Sequence, residues 1–151
     1  MSDFDEEIDF QELIEEVLTE NDWIFNLQRN KNETSFICPM GAKNIPKLEV
    51  MLIVDAEGDC KIRNYLIRDI SEKKRQRMLE IVNDLNKKFR YITFSIDEDG
   101  DLLAAYDFSI FSTDKEVVDK QVGTMLCITG EIMDKCFPKI MKALWEDDED
   151  F

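Results

Sequence analysis

The segment Tyr91–Phe108 limits the fold more tightly than any other part of the chain. Apolar and polar residues alternate on both sides of Glu98-Asp99-Gly100, which is typical of two strands joined by a tight turn. A three-residue loop with Gly100 at a left-handed bulge position keeps one hairpin face apolar, whereas a two-residue Asp-Gly turn would set Ile92 against Asp107. We therefore predict the longer loop, with three pairs on the apolar face: Ile96 with Leu102, Phe94 with Ala104, and Ile92 with Tyr106.

Three other segments repeat apolar residues at steps of three and four, the spacing of an amphipathic helix. The apolar stripes are Phe10, Leu13, Ile14, Val17 and Leu18 in the first; Met78, Ile81, Val82, Leu85 and Phe89 in the second; and a series from Val118 to Trp145 in the third. Two capping boxes predict the later helix starts: Asp69 with Glu72, and Thr113 with Glu116. Gly130 and Pro138 interrupt the third pattern, so we expect a kinked or split helix.

The stretch between the first two helices predicts four strands separated by turn-forming residues. These strands are Trp23–Arg29, Ser35–Cys38, Leu48–Val54 and Cys60–Ile67. Leu48–Val54 is apolar at six of its seven positions, a composition typical of a strand that is buried on both faces. The element order α-β-β-β-β-α-β-β-α predicts an α+β fold with an antiparallel sheet and three helices, in a single domain spanning residues 1–145.

Acidic residues are concentrated at the two ends of the chain. Met1–Asp22 contains ten Asp or Glu residues and no Lys or Arg, and Glu146–Asp150 adds five consecutive acids. Removing these 15 from the total of 34 leaves 19 acids against 19 Lys and Arg, so the net charge of −15 resides at the ends. We expect the N-terminal acids to lie on the solvated side of the first helix, and residues 146–151 to form an acidic tail.

One basic cluster, formed by Lys73, Lys74, Arg75 and Arg77, falls in the first turns of the second helix, where the helix dipole disfavours positive charge. A solvated surface explains this cluster, and so does a contact with an acidic partner, including the chain's own acidic end. Because four clustered cations do not offset a net charge of −15, we expect no nucleic-acid partner.

The residues needed for several common chemistries are missing. The chain has no His and its five Gly do not cluster, which excludes Ser-His-Asp and Cys-His catalysis, the usual zinc sites and phosphate-binding glycine loops. Paired carboxylates remain available for catalysis, but their abundance identifies no pair, so we predict no catalytic residue, no cofactor and no enzyme. Asp97, Asp99 and Asp101 suggest a weak cation site, but the glycine comes too early for an EF-hand loop, and we predict no metal.

The cysteines and the hydropathy indicate a cellular compartment. Cys38, Cys60, Cys127 and Cys136 lie in apolar stretches without a C-x-x-C pair, which favours buried free thiols over disulfides or a redox role. No apolar run reaches the roughly 18 residues that a membrane helix needs, and the N-terminus is acidic where a signal peptide would be basic. We therefore expect a soluble cytoplasmic protein that does not bind membranes.

Several residues in the second half of the chain together resemble a known family. They are Leu85-Asn86, Tyr91–Ile96, the Asp97-x-Asp-Gly-Asp101 turn, Tyr106-Asp107-Phe108, Glu116-Val117 and the closing Phe137-Pro138-x-Ile140-Met141-x-x-Leu144-Trp145. Over this region the chain resembles the YbjN-like proteins, described as bacterial sensory transduction regulators; before Leu85 only the element order agrees. The resemblance implies the fold of type III secretion chaperones, an α-β-β-β-α-β-β-α module that binds protein, often as a dimer, and implies no catalytic residue. Trp23–Arg29 is one strand more than that pattern requires.

Two functions of different classes remain. The first is a non-catalytic protein-binding module of chaperone-like fold, whose ligand is a partner protein or a second copy of the chain. The hairpin face opposite the core carries mildly apolar side chains that form a candidate contact patch: Tyr91, Thr93, Ser95, Leu103 and Ala105. The second function is an acidic inhibitor, such as an immunity-type protein, whose negative charge would steer it onto a basic target.

Overall fold

A computed structural model describes residues 8–146 and contains three helices and six strands in that range. The helices are α1 (Phe10–Glu20), α2 (Glu72–Lys88) and α3 (Lys115–Trp145). The strands are β1 (Asn26–Arg29), β2 (Glu33–Met40), β3 (Leu48–Asp55), β4 (Asp59–Ile67), β5 (Thr93–Ile96) and β6 (Leu102–Ser109). The predicted element order and the predicted α+β class are both confirmed. The acids before position 8 and those after position 146 lie outside the described residues.

All six strands form one antiparallel sheet in the order β1-β2-β3-β4-β6-β5. The first four strands form a meander, whereas the β5–β6 hairpin joins the sheet through β6, so that β5 becomes an edge strand. The hairpin has the predicted register, with Gly100 at a φ of +81° in the turn. Two of the predicted pairs lie within the strands, Ile96 with Leu102 and Phe94 with Ala104, while Ile92 is buried just before β5 begins.

The three helices pack on one face of the sheet, named here the inner face. Burial alternates along β2 and β3, and the buried residues of these strands are Thr34, Phe36, Cys38, Leu48, Val50, Leu52 and Val54. The helices add their own buried residues: Ile14, Val17 and Leu18 from α1; Met78, Val82 and Leu85 from α2; and nine residues of α3, from Val118 to Ala143. Burial of these apolar surfaces is what holds the helices on the sheet.

Three strand predictions need correction. The strand predicted at Trp23–Arg29 begins only at Asn26, although Phe25 still packs edge to face on Phe36, with 5.6 Å between ring centroids. The strand predicted at Ser35–Cys38 is longer, because β2 pairs with β3 along its whole length. The prediction that β3 is buried on both faces is wrong. Its second side is only half-buried, because the described helices all lie on the inner face.

The capping box predicted for α2 is displaced by tertiary contacts. The helix begins after Ser71, because Asp69 adopts a positive φ of 56° and donates its N–H to the Asp101 carboxylate at 2.7 Å. The following N–H, from Ile70, donates to the Gly100 carbonyl at 2.8 Å. These two bonds fix the chain before α2 to the β5–β6 turn, so Asp69 is not available as a cap.

The third helix, predicted to be kinked or split, is continuous, so the predicted split is wrong. It begins after Asp114, whose carboxylate accepts the Glu116 N–H at 3.0 Å, and not at the predicted Thr113 box. It runs through Gly130 and Pro138 to a length of 31 residues, about 47 Å at 1.5 Å per residue. No helix within residues 8–146 is long and apolar enough to cross a membrane.

A contact with the β2–β3 loop explains how α3 tolerates its proline. Pro138 has no N–H with which to bond the carbonyl of Asp134, four residues earlier. That carbonyl instead accepts the side-chain amide of Asn44 at 3.0 Å. The Asp134 carboxylate accepts the backbone N–H groups of Lys43, Asn44 and Ile45 at 2.9, 2.8 and 2.9 Å. The loop therefore supplies the donor that Pro138 lacks and is itself fastened to the helix.

Candidate docking surface on the open sheet face

The other face of the sheet, named here the outer face, has no helix packed on it within residues 8–146. Side chains alternate across a strand, so the residues between the buried ones point to this face. Six of them form an apolar centre that is only partly shielded from water: Ile37, Met51, Ile53, Tyr65, Leu103 and Ala105. The register places Lys61 opposite Ile53 and Arg63 opposite Ala105, so these two β4 residues lie between the β3 and the β6 members of the apolar centre. Partly exposed apolar side chains gathered on one face of a folded domain are typical of a surface that binds another macromolecule.

The five residues of the predicted contact patch lie together at the β5–β6 end of the outer face. Thr93 pairs with Ala105, and Ser95 pairs with Leu103. Tyr91 precedes β5, is 45% exposed, and meets the Tyr106 ring edge to face at 6.0 Å between centroids. Side chains from β4, β5 and β6 line a shallow depression of about 330 Å³ beside Tyr91. The structure brings the patch together, and its role in binding stays a prediction.

Sequence reasoning missed the part of the apolar centre that lies on β2, β3 and β4. The signal was present in Leu48–Val54, because Met51 and Ile53 form a second apolar side that needs a cover. Its connection to the hairpin patch depends on the pairing of β4 with β6, which places Tyr65 opposite Leu103. No local pattern predicts that pairing, because α2 and β5 separate the two strands along the chain.

Two cations next to the apolar centre are held by partners within the chain. Arg63 forms an ion pair with Asp107 on the neighbouring strand, with 2.6 Å between nitrogen and oxygen. The guanidinium carbon of Arg68 lies 3.7 Å from the centroid of the Tyr65 ring, and the same guanidinium pairs with Asp101 at 3.1 Å. Tyr65, 41% exposed, is therefore oriented before any partner arrives. Tyr and Arg are residue types that dominate binding energy at interfaces.

The predicted basic cluster, formed by Lys73, Lys74, Arg75 and Arg77, lies on the helical side of the molecule, beside the end of α3. Arg77 forms an ion pair with the Glu146 carboxylate, and Lys74 donates to the Glu146 carbonyl. Lys142 lies 3.7 Å from the same carboxylate. The first residue of the predicted acidic tail thus contacts the cluster, while residues 147–151 lie outside the described residues. A role of this cluster in binding a partner stays a prediction.

Two groups of carboxylates have oxygens within 4.8 Å of one another: Asp97, Asp99 and Asp101, which the sequence singled out, and Asp55, Glu57 and Asp59, which it did not. In each group the first aspartate accepts two backbone N–H groups, from the residues two and four positions later, at 2.9 to 3.0 Å. Asp101 in addition accepts the Asp69 N–H and pairs with Arg68. These bonds give both groups a structural role in forming turns.

Three of the four free thiols are buried, as predicted. Burial raises the pKa of Cys38 to about 11, that of Cys60 to about 12 and that of Cys136 to about 11. Cys127 is exposed, so its predicted burial is wrong. It follows the buried Leu126 by one residue, and one residue rotates a side chain by about 100° around the helix axis, away from the core. Partial burial and the Glu131 charge raise the Cys127 pKa as well. The thiol form, which is a poor nucleophile, is favoured at all four positions.

Comparison with known proteins identifies the family. The YbjN family model, described as "Putative bacterial sensory transduction regulator", matches residues 11–141. No curated protein matches the chain. The crystal structure of an uncharacterized protein from Methanothermobacter thermautotrophicus is similar, with 16% sequence identity, a TM-score of 0.46, and coverage of 84% of this chain and 98% of that chain. That likeness is too low to support an argument about fold or function. Because the family model spans α1 to α3, the chain belongs to the YbjN family.

Proposed function

We propose that this protein is a non-catalytic regulatory module that binds another protein through the outer face of its sheet. The observation that carries the proposal is the apolar centre, which the described helices leave uncovered. Removing such side chains from water contributes about 25 cal/mol per Å² of apolar surface, so a partner that covers them gains affinity. The description of the family as regulators, and its resemblance to secretion chaperones, support a function exerted by binding.

The buried polar groups support a non-catalytic role. Thr34, Asp101 and Thr129 are the buried polar or charged residues within residues 8–146. Each has a structural hydrogen bond: Thr34 to the Gln11 side chain at 2.7 Å, Thr129 to the Met125 carbonyl at 2.7 Å, and Asp101 to Arg68 at 3.1 Å. Catalytic groups in contrast usually converge on a pocket in which they can reach a substrate.

A pair of matched substitutions tests the proposal once a partner is in hand. Affinity capture on the full chain, followed by identification and purification of the captured protein, supplies the partner for titration calorimetry. Ile53→Glu places a charge in the apolar centre, and we expect at least about a tenfold loss of affinity, because a carboxylate buried there would lose its hydration. Leu79→Glu is the control, since Leu79 is 38% exposed on α2, away from the outer face.

The comparison between the two variants decides the outcome. Circular dichroism and an unfolding midpoint establish that both variants are folded. Binding that survives Ile53→Glu, or that Leu79→Glu weakens equally, would contradict docking on the outer face. Loss confined to Ile53→Glu supports it.

The acidic-inhibitor function makes a different prediction for the chain ends. Deleting residues 147–151 removes four of the acids and leaves Glu146, which contacts the basic cluster, in place. Docking on the outer face predicts little change in affinity for the captured partner. A large loss that shrinks as salt rises would instead favour an inhibitor that uses its acidic end, because salt screens exposed charges over about 10 Å at 0.1 M.

A further inference from the structure

Charged residues on the outer face are unevenly distributed between the two signs. Strand alternation places five carboxylates there against two cations: Glu33, Glu49, Asp55, Asp59 and Asp107 against Lys61 and Arg63. A third cation, Arg68, follows β4 and reaches this face over the Tyr65 ring. Because Arg63 pairs with Asp107, these two side chains largely neutralise each other. Arg68 is likewise paired with Asp101, so the remaining four carboxylates share the face with one lysine, Lys61.

Three of these carboxylates, Glu33, Asp55 and Asp59, lie at one end of the face and are named here the acidic edge. Glu33 and Asp55 are directly opposite in the β2–β3 register, and the Asp59 N–H donates to the Asp55 carboxylate at 3.0 Å. Within residues 8–146 no Lys or Arg forms an ion pair with any of the three. Like charges opposite one another repel, so a cation supplied from outside would be stabilising here.

We propose that the partner docks a segment of apolar residues flanked by Lys or Arg, with the cations on the acidic edge and the apolar side chains on the apolar centre. This inference rests on the proposed function and names the chemistry of the partner. Met51, Ile53 and Asp55 are alternate residues of one strand, spaced about 7 Å apart. In the docked segment the cation therefore lies close in sequence to the apolar residues, on either side of them, within one to three turns of about 5.4 Å if the segment is helical.

A second copy of the chain fits this surface less well than a basic partner. Each copy carries a net charge of −15, so two copies repel as they approach. A face-to-face dimer with its two-fold axis along the strands would set the acidic edge against itself. With the axis across the strands, the acidic edge would lie against Glu49, at the other end of β3. A basic segment is attracted from a distance by the same charges.

Selection of random linear peptides displayed on phage, against the immobilised full chain, tests the partner chemistry. Peptides that also bind Ile53→Glu are discarded, so that the remaining ones depend on the outer face. Their affinities are then measured for wild type, for Glu33→Gln/Asp59→Asn, and for the control Glu12→Gln/Glu131→Gln. The control removes the same number of charges from exposed positions on α1 and α3.

We expect the face-dependent peptides to be enriched in Lys or Arg beside apolar residues. Glu33→Gln/Asp59→Asn should lower their affinity about threefold to tenfold at low salt, with the loss shrinking towards 1 M salt, where the Debye length is about 3 Å. The control variant should bind like wild type. Face-dependent peptides that lack basic flanks and tolerate Glu33→Gln/Asp59→Asn overturn this inference and leave the proposed function standing. A selection that yields no face-dependent peptide overturns both.

Discussion

Aspartate side chains hold the backbone in place at two turns and one loop of this protein. Residues 55–59 and 97–101 share the pattern Asp-x-(Asp/Glu)-Gly-Asp, and in both the first carboxylate accepts the N–H groups two and four residues later. The carboxylate of Asp134, on α3, likewise accepts the backbone N–H groups of residues 43–45. At the residue scale, part of the acidity that composition shows as net charge is therefore used in local hydrogen bonding.

Substitution by alanine should destabilise the protein at the two turn glycines, Gly58 and Gly100, and much less at Gly41. A Cβ at Gly58, where φ is +97°, would lie 2.6 Å from the Ile110 carbonyl oxygen, and one at Gly100 would lie 3.1 Å from that of Ile70. Gly41 has open space around it. We expect the free energy of unfolding to fall by about 3 kcal/mol for Gly58→Ala, by about 1–2 kcal/mol for Gly100→Ala, and by less than about 0.5 kcal/mol for Gly41→Ala. Urea unfolding measures all three, and equal losses would contradict the turn geometry.

Asp134 should make stability depend on pH in the acid range. The backbone N–H of Lys43, followed by those of Ile45 and Asn44, lowers the pKa of the Asp134 carboxyl below its ordinary value. A lowered folded-state pKa stabilises the fold at pH values above the unfolded pKa of about 4, and this stabilisation is lost as pH falls through the folded pKa. Wild type should therefore exceed Asp134→Asn in unfolding midpoint at neutral pH, and the gap should close below about pH 4. Glu131→Gln, on the same helix, is the control; a gap independent of pH would argue against this role.

At the element scale, asparagine side chains bond backbone groups of β5 and α3 that have no partner within the strand or helix. The free edge of strand β5 is hydrogen-bonded to Asn86 of α2. The Asn86 side chain accepts the Phe94 N–H at 2.7 Å and donates to the Phe94 carbonyl at 2.9 Å. A neighbouring strand would make the same two bonds, so this edge is protected against pairing with another chain. In α3, the Asn44 side-chain amide likewise donates to the Asp134 carbonyl, which Pro138 cannot bond.

A double-mutant cycle tests how α3 accommodates Pro138. Asn44→Ala alone should cost about 1 kcal/mol, because the Asp134 carbonyl loses its donor. In a Pro138→Ala background the new backbone N–H bonds that carbonyl, so Asn44→Ala should cost clearly less, which gives a coupling energy of about 0.5–1 kcal/mol. The cycle is measured by urea unfolding of the four proteins. Costs that simply add would show that Asn44 does not substitute for the missing bond.

The elements that the sequence predicts well are those with strong local signals. The hairpin register follows from keeping one face apolar, and the three helices follow from their stripes. Cap positions and the continuity of α3 do not follow, because Asp69 and Pro138 are governed by residues far away in sequence, at Gly100–Asp101 and Asn44. Long-range partners override local propensity at those positions.

At the scale of the whole molecule, one sheet face is a core and the other is exposed. The sequence predicts the hairpin part of the outer face and the apolar excess of β3, but not that they adjoin, since the β4–β6 pairing joins them. The same assembly separates two charged regions: the basic cluster meets Glu146 on the helical side, while the acidic edge lies on the outer face. The proposal that the partner is apolar and basic therefore depends on the apolar centre and the acidic edge lying side by side, which occurs only in the folded chain.

Docking on the outer face is tested most directly by methyl NMR spectra of the full chain, with labelled Ile, Leu and Met, during titration with the purified partner or a selected peptide. We expect the largest shift changes at Ile37, Met51 and Ile53, because their half-buried side chains would be covered. Leu52 on the inner face and Leu79 on α2 should change little. Large changes on α2 or α3 methyls, with Met51 and Ile53 unaffected, would contradict the proposal that this protein binds its partner through the open face of its sheet.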